Sequence, residues 1–188
     1  MGLTAGRHQG LLLPRVLDLG ESQRETIVIT SFADEAPLTG INHVIDWGLA
    51  GWVSRLIARG WVDRGFGDLS LLSPAPGHGY RRLLHVGLGM SSAFSPRKAE
   101  RAGTLMLRTL EKQQLNSAAL ILPGRSLGIV SASDAYRSLL ALLDAGQRRS
   151  KGGSGLDLCV LERKAAAEEI RTLRDTLLRR RRDEQLLR

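Results

Sequence analysis

The sequence predicts an α/β fold of three layers: a mixed, mostly parallel sheet with helices on both faces. Short apolar, partly β-branched runs alternate along the chain with stretches whose apolar residues recur at three and four. Such alternation builds a sheet that must be covered on each side. The earliest strands are joined by connections too short for a crossover helix, so the order is mixed rather than purely parallel. At 188 residues and 43% hydrophobic content the chain can bury one substantial core, whereas two separate cores would each be marginal. One domain over residues 1–162 is expected, followed by a basic C-terminal helix or tail over 163–188.

The elements follow in order. Leu11 to Leu19 and Thr26 to Phe32 read as strand, turn, strand; Pro14 weakens the first of these and suggests an edge position for it. After Pro37-Leu38-Thr39-Gly40, the residues Ile41, Ile45, Leu49, Trp52, Val53, Leu56 and Ile57 trace one amphipathic helix that stops near Gly60. Asp68 to Leu72 and Arg82 to Leu88 flank a Pro- and Gly-rich connection, 74–79, and are expected to pair as neighbours. Ser95-Pro96 supplies an N-cap and a first-turn proline for a helix whose inner face carries Ala99, Ala102, Leu105, Met106 and Leu110. Ser117 to Leu122 is the next strand and Ser133 to Ala145 the next helix. Gln147 to Gly155, polar and glycine-rich, reads as a flexible loop before the last strand, Leu156 to Leu161, and a final helix begins near Arg163.

The formal charge is +8, which raises nucleic acid or an acidic surface as partners. Its placement matters: from Arg163 to Arg188 nine bases face five acids, so half of the excess lies in the C-terminal segment. The lone cysteine, Cys159, sits in an apolar run and reads as a buried structural thiol in a reducing compartment. Residues 1–10 lack the apolar stretch of a signal peptide, and no apolar run approaches the ~20 residues that span a bilayer. A cytoplasmic protein without a membrane partner is expected.

The order of landmarks now matters: Pro37-Leu38-Thr39-Gly40, a long helix, a strand ending near Pro74, a strand ending in Val86-Gly87-Leu88-Gly89, a helix rich in Ala and Arg, and Ala118-Ala119-Leu120-Ile121-Leu122-Pro123. This order resembles the N-terminal domain of the leucyl aminopeptidase (cytosol aminopeptidase) family, over roughly Thr26 to Leu161. The resemblance implies a macro-domain-like fold. It also implies that the two metals and the catalytic lysine, aspartates and glutamate of that family belong to a separate C-terminal domain, a chemistry that needs acidic ligands clustered around the ions. Beyond Leu161 this sequence offers an Arg-rich helix, so no catalytic residue, metal ligand or cofactor is carried over. The resemblance therefore implies a non-catalytic regulatory or assembly module, a pseudoenzyme whose partner is a further copy of itself or a separately encoded aminopeptidase-type catalytic protein. Residual metalloaminopeptidase activity is the least favoured outcome.

Gly124-Arg125-Ser126-Leu127-Gly128 fits the G-x-S-x-G pattern of a serine hydrolase elbow. However, His8, His43, His78 and His85 all precede Ser126, opposite to the order in α/β-hydrolases, and Pro123 interrupts the turn, so a glycine loop is the better reading. In the resemblance to macro domains this loop stands where a glycine-containing loop surrounds the phosphates of ADP-ribose, and backbone amides can cradle an anion there. Gly87, Gly89, Gly124, Ser126 and Gly128 are then candidate ligand-binding residues. Macro domains that bind ADP-ribose have an asparagine-containing first loop and several glycines before their first long helix. This chain has Ser31-Phe32-Ala33-Asp34 and a single Gly40, and Asp34 and Glu35 would repel a diphosphate. Turn glycines are the default reading.

His43 and Asp46, three apart on one helix, are too few for a zinc site and read as a solvent-facing polar stripe. Trp47, Trp52 and Trp61 read as core or core-edge residues, although any left exposed would suit a partner contact. Arg179, Arg180, Arg181 and Arg182 are candidate nucleic-acid contacts; the plainer reading is a solvated helix end that the helix dipole favours.

Overall fold

The computed structural model describes residues 15–17, 25–77, 80–149 and 156–186. Among the described residues six strands form one sheet in the order β1-β6-β5-β2-β4-β3. They are β1 (Arg15–Leu17), β2 (Thr26–Ser31), β3 (Leu69–Leu72), β4 (Arg82–Gly87), β5 (Ser117–Leu120) and β6 (Asp157–Leu161). Neighbours are parallel except β3, which runs antiparallel to β4. The fold is thus the mixed, three-layer α/β arrangement that the alternation of patterns predicts, and β1 lies at the expected sheet edge.

The side chains of the inner strands are mostly apolar on both faces, with Thr26, Thr30, Ser31 and His85 as buried polar exceptions. Val28, Leu84, Val86, Ala118, Leu120, Leu158 and Val160 join one core with residues of the helices α3 (Pro96–Lys112), α4 (Ala132–Arg149) and α5 (Lys164–Leu186). The alternate positions Ile27, Ile29, Leu83, Ala119, Ile121, Cys159 and Leu161 join a second core with α1 (Gly40–Gly48) and α2 (Trp52–Ala58). This is the period of two, doubled, that a strand covered on both faces shows. Cys159 is fully buried, as expected of a structural thiol.

Helix α3 starts as its sequence dictates: Pro96 occupies the first turn and the Ser95 hydroxyl accepts from the Lys98 amide at 3.3 Å. Two expectations fail elsewhere. The single helix expected through Ile57 is two helices. Ala50 and Gly51 have φ of 53° and 73°, a left-handed turn that no helix can carry. Asp46 then caps the restart, its Oδ1 accepting from the amides of Val53 (2.8 Å) and Ser54 (3.1 Å) and its Oδ2 from the Ser54 hydroxyl. Asp46 is therefore buried and structural, not part of a solvent-facing stripe, whereas its companion His43 is exposed. Asp46→Ala is expected to cost about 2 kcal/mol of stability, the loss of a helix cap that serves one buried and one half-buried amide, read as a shift of the urea midpoint. Helix α4 also runs on through Arg149, into the stretch expected to be loop; the remainder of that stretch, 150–155, lies outside the described residues.

Helix α5 is built into the domain, because Ala167 and Ile170 are fully buried and Leu173 and Leu177 pack against them. The expected boundary at residue 162 therefore does not coincide with an edge of the core. Among the described residues no helix is long and apolar enough to cross a membrane.

Candidate functional site

β2 and β5 are adjacent and parallel, yet the chain leaves β2 toward α1 on one face and leaves β5 toward α4 on the other. A crevice must open where the two connections diverge, and in open α/β sheets this is where ligands sit. A cleft of about 310 Å³ lies there, lined by Gly40 and Ile41 at the start of α1, Arg125, Ser126 and Gly128 after β5, and Arg163 after β6.

The β5–α4 loop is shaped by Gly124 and Gly128, with φ of 84° and 68°. It is pinned to β6 by Arg125: Nε meets Glu162 Oε1 at 2.5 Å, NH2 meets Oε2 at 3.2 Å, and NH1 donates to the Val130 carbonyl. The Arg125 and Glu162 side chains are 16% and 5% exposed, so this is a nearly buried, forked ion pair.

The β2–α1 loop is organised by Glu35, a residue only 2% exposed. Its Oε2 accepts from the Phe32 amide (3.1 Å) and from the Ser126 hydroxyl (2.8 Å). Its Oε1 accepts from the Thr39 amide (2.9 Å) and faces the Thr39 hydroxyl, whose one proton also has the Ser126 carbonyl at 2.8 Å. One carboxylate thus joins the two loops across the crevice. Asp34 is exposed and points elsewhere, accepting from the amide and hydroxyl of Ser91, which hold its carboxyl below the usual range.

Of the five glycine-loop candidates, Ser126 and Gly128 line the cleft. The other three are packing positions. A Cβ on Gly87 would meet the Gly65 carbonyl oxygen at 2.2 Å, one on Gly89 would meet Phe66 at 3.2 Å, and one on Gly124 would meet Val130 at 2.6 Å and Phe94 at 2.9 Å. Close approach, together with a left-handed backbone at Gly89 and Gly124, accounts for these glycines. Ser126 contacts Glu35 and no histidine contacts it among the described residues, so no hydrolase triad forms. Among the described residues no group of three or more metal-ligating side chains occurs. Arg179 and Arg180 are exposed on α5, beyond its core-facing turns; the side chains of Arg181 and Arg182 lie outside the described residues.

Sequence reasoning missed two features. His85 is buried in β4, with Nε2 2.8 Å from the Ser31 hydroxyl, and burial followed by the Arg64 charge lowers its pKa to about 4. Its place inside the otherwise apolar run Leu83 to Val86 was the available signal. The tryptophans are the second correction: Trp52 packs on the core, but Trp47 and Trp61 are 77% and 69% exposed. Trp47 shares the outer face of α1 with exposed Val44.

Residues 28–152 match the cytosol aminopeptidase family, N-terminal domain. The chain belongs to the cytosol aminopeptidase family. A probable cytosol aminopeptidase of Halorhodospira halophila is 30% identical over 101 residues, which is 54% of this chain and 20% of that protein. The matched part thus spans about a fifth of that relative's length, and the family domain matched is the N-terminal one.

Solved structures show the same fold at low identity. The macrodomain of Mycobacterium tuberculosis DarG has a TM-score of 0.61 at 13% identity, covering 82% of this chain and 100% of that one. The Oceanobacillus iheyensis macrodomain, solved with ADP, has a TM-score of 0.62 at 15% identity, with 88% and 90% covered. A tomato leucine aminopeptidase mutant has a TM-score of 0.56 at 18% identity, covering 88% of this chain and 36% of that one. The fold of this member of the cytosol aminopeptidase family is therefore macrodomain-like.

Proposed function

We propose that this cytosol aminopeptidase N-terminal domain is a non-catalytic assembly module that docks on another protein of its family through the outer surface of the α1–α2 layer. The observation that supports it most is the exposure of Trp47 and Trp61, together with Val44, on the layer whose other large apolar residues pack toward the sheet. Large aromatic side chains left in water are a common mark of a protein contact, because covering one removes much apolar area with little loss of side-chain freedom. The partner is a chain carrying the catalytic part of such an enzyme, or a second copy of this one.

Sedimentation velocity tests the proposal, with the protein alone and mixed with a cytosol aminopeptidase catalytic domain. The wild type is expected to associate, and a Trp47→Ser, Trp61→Ser double variant to associate at least about thirtyfold more weakly, the loss of roughly 2 kcal/mol at a contact centre. Both residues are exposed, so the variant keeps its fold and its circular dichroism. An inert monomer under all conditions, or equal association by wild type and variant, contradicts the proposal. Leucyl-amide substrate with added manganese or zinc is expected to remain intact; turnover by the pure chain would overturn the non-catalytic reading.

A second reading is nucleotide binding, since a structural neighbour was solved with ADP. The cleft favours it: the first turn of α1 has no side-chain cap, and Arg163 stands exposed at the rim. Among the described residues the Ser126 and Leu127 amides also donate to no protein acceptor.

A further inference from the structure

We propose that β3 is a self-pairing edge: a second copy of this chain adds its own β3, antiparallel across a two-fold axis at Ser70, and joins the two sheets into one. β3 closes the sheet at the end away from β1, and among the described residues nothing pairs with its outer side. The Gly87 amide donates to the Asp68 carbonyl at 2.8 Å, so Asp68 turns that carbonyl inward to β4. Backbone groups of an antiparallel ladder alternate in direction, which turns the N–H and C=O of Leu69 and Leu71 outward. Groups left open in this way are a template for another strand.

The side chains agree with the backbone. Leu69 and Leu71 are 40% and 47% exposed. They stand opposite Val86 and Leu84, on the face that α3 covers further in, whereas Leu72 turns to the other face and packs on its core. Natural edges are commonly guarded by a lysine, a proline or another charge, and residues 69–73 carry none of these. The open stretch is bounded on one side by a bulge, in which Gly67, at φ 91°, donates to the Gly87 carbonyl while Gly87 donates to Asp68. Pro74 bounds it on the other.

A second copy is the occupant that fits. The antiparallel register that sets Leu69 against Leu71 of the other copy uses every outward group, as two hydrogen-bonded pairs of two bonds each. It also lays exposed leucine beside exposed leucine on one face, and Ser70 beside Ser70 on the other. A two-fold axis brings each side chain next to its own copy, so a charge there would repel itself. The chain carries +8, yet none of that charge falls within 69–73. The contact is small, below the roughly 1,200 Å² at which standard interfaces begin. The dimer is therefore weak, with a dissociation constant on the order of 0.1 to 1 mM. It forms where the chain is concentrated, and it is independent of docking through Trp47 and Trp61.

Sedimentation equilibrium of the full chain, from about 10 μM to about 1 mM, tests the pairing. Wild type and the Trp47→Ser, Trp61→Ser variant are both expected to dimerise toward the upper end. Leu71→Lys is expected to weaken that dimer by about tenfold or more, because a lysine on the edge opposes pairing. Leu71 is exposed and stands outside the packed cores, so the variant keeps its circular dichroism. Amide exchange of the wild type needs no substitution: the Leu69 and Leu71 amides are expected to slow as concentration rises. A monomer at the highest concentration overturns the proposal, as does a dimer that Leu71→Lys leaves intact or one in which these two amides exchange as fast as in the monomer. Association that vanishes in the tryptophan variant and persists in Leu71→Lys belongs to the α1–α2 surface and also overturns it. So does protection of the two amides only when an aminopeptidase catalytic domain is added, which would give the edge to another occupant.

Discussion

Arg125→Met is expected to lower the free energy of unfolding by about 3 to 5 kcal/mol, because it strands the Glu162 carboxylate as an uncompensated buried charge. Glu162 is 5% exposed and receives both Nε and NH2 of Arg125, so the substitution removes both of its charge-assisted side-chain hydrogen bonds. The Val130 carbonyl loses its donor in the same step. Urea denaturation measures the effect, and the double variant Arg125→Met, Glu162→Leu is expected to recover most of it, since removing both partners leaves no buried charge. A loss below about 1 kcal/mol, the value of an ordinary surface pair, would show that the pair is more solvated than its geometry implies. The same variant reports on the cleft, because Arg125 is what fixes the β5–α4 loop to the end of β6.

The second large effect is on acid stability. His85 is neutral in the fold, with a pKa lowered from 6.5 to about 4 by burial and then by the Arg64 charge. The unfolded chain takes up a proton as pH falls below 6.5, while the folded chain does so only near 4. Stability that is complete above 6.5 is therefore lost as pH falls through this window, by about 3 kcal/mol in total. His85→Gln has no such proton to bind. The wild-type advantage over this variant is expected to shrink steadily from pH 7 to pH 4, since acidic groups common to both cancel in the difference. An advantage that stays constant across the window would contradict the burial of a neutral imidazole.

Much of the fold was legible because the strands of this chain are covered on both faces. Ile27, Val28 and Ile29, or Leu158, Cys159 and Val160, read as unbroken apolar runs, and Ser95-Pro96 names the start of α3 outright. What periodicity concealed was the break between α1 and α2. Ile45, Leu49 and Val53 keep a helical spacing across it because both helices lie on one sheet face, so packing preserves the pattern while Ala50 and Gly51 reverse the backbone. The glycines at 48 and 51 and the capping aspartate were the signals for a restart. Of the site, the sequence shows the glycine loop and two acids after β2, but not that Glu35 turns inward to Ser126 while Asp34 turns outward to Ser91. Neighbouring acids in one loop differ only in direction, and direction is set by contacts 91 and 57 residues away. The exposure of Trp47 and Trp61 likewise depends on which way α1 and the end of α2 face, which their spacing does not determine.

Amide hydrogen exchange of the associated and dissociated protein tests the docking account most directly. The account predicts added protection in the segment that carries Val44 and Trp47 and in residues 59–62 around Trp61. Protection confined to the cleft loop at 124–131 or to the arginine-bearing end of α5, or none anywhere, would contradict it.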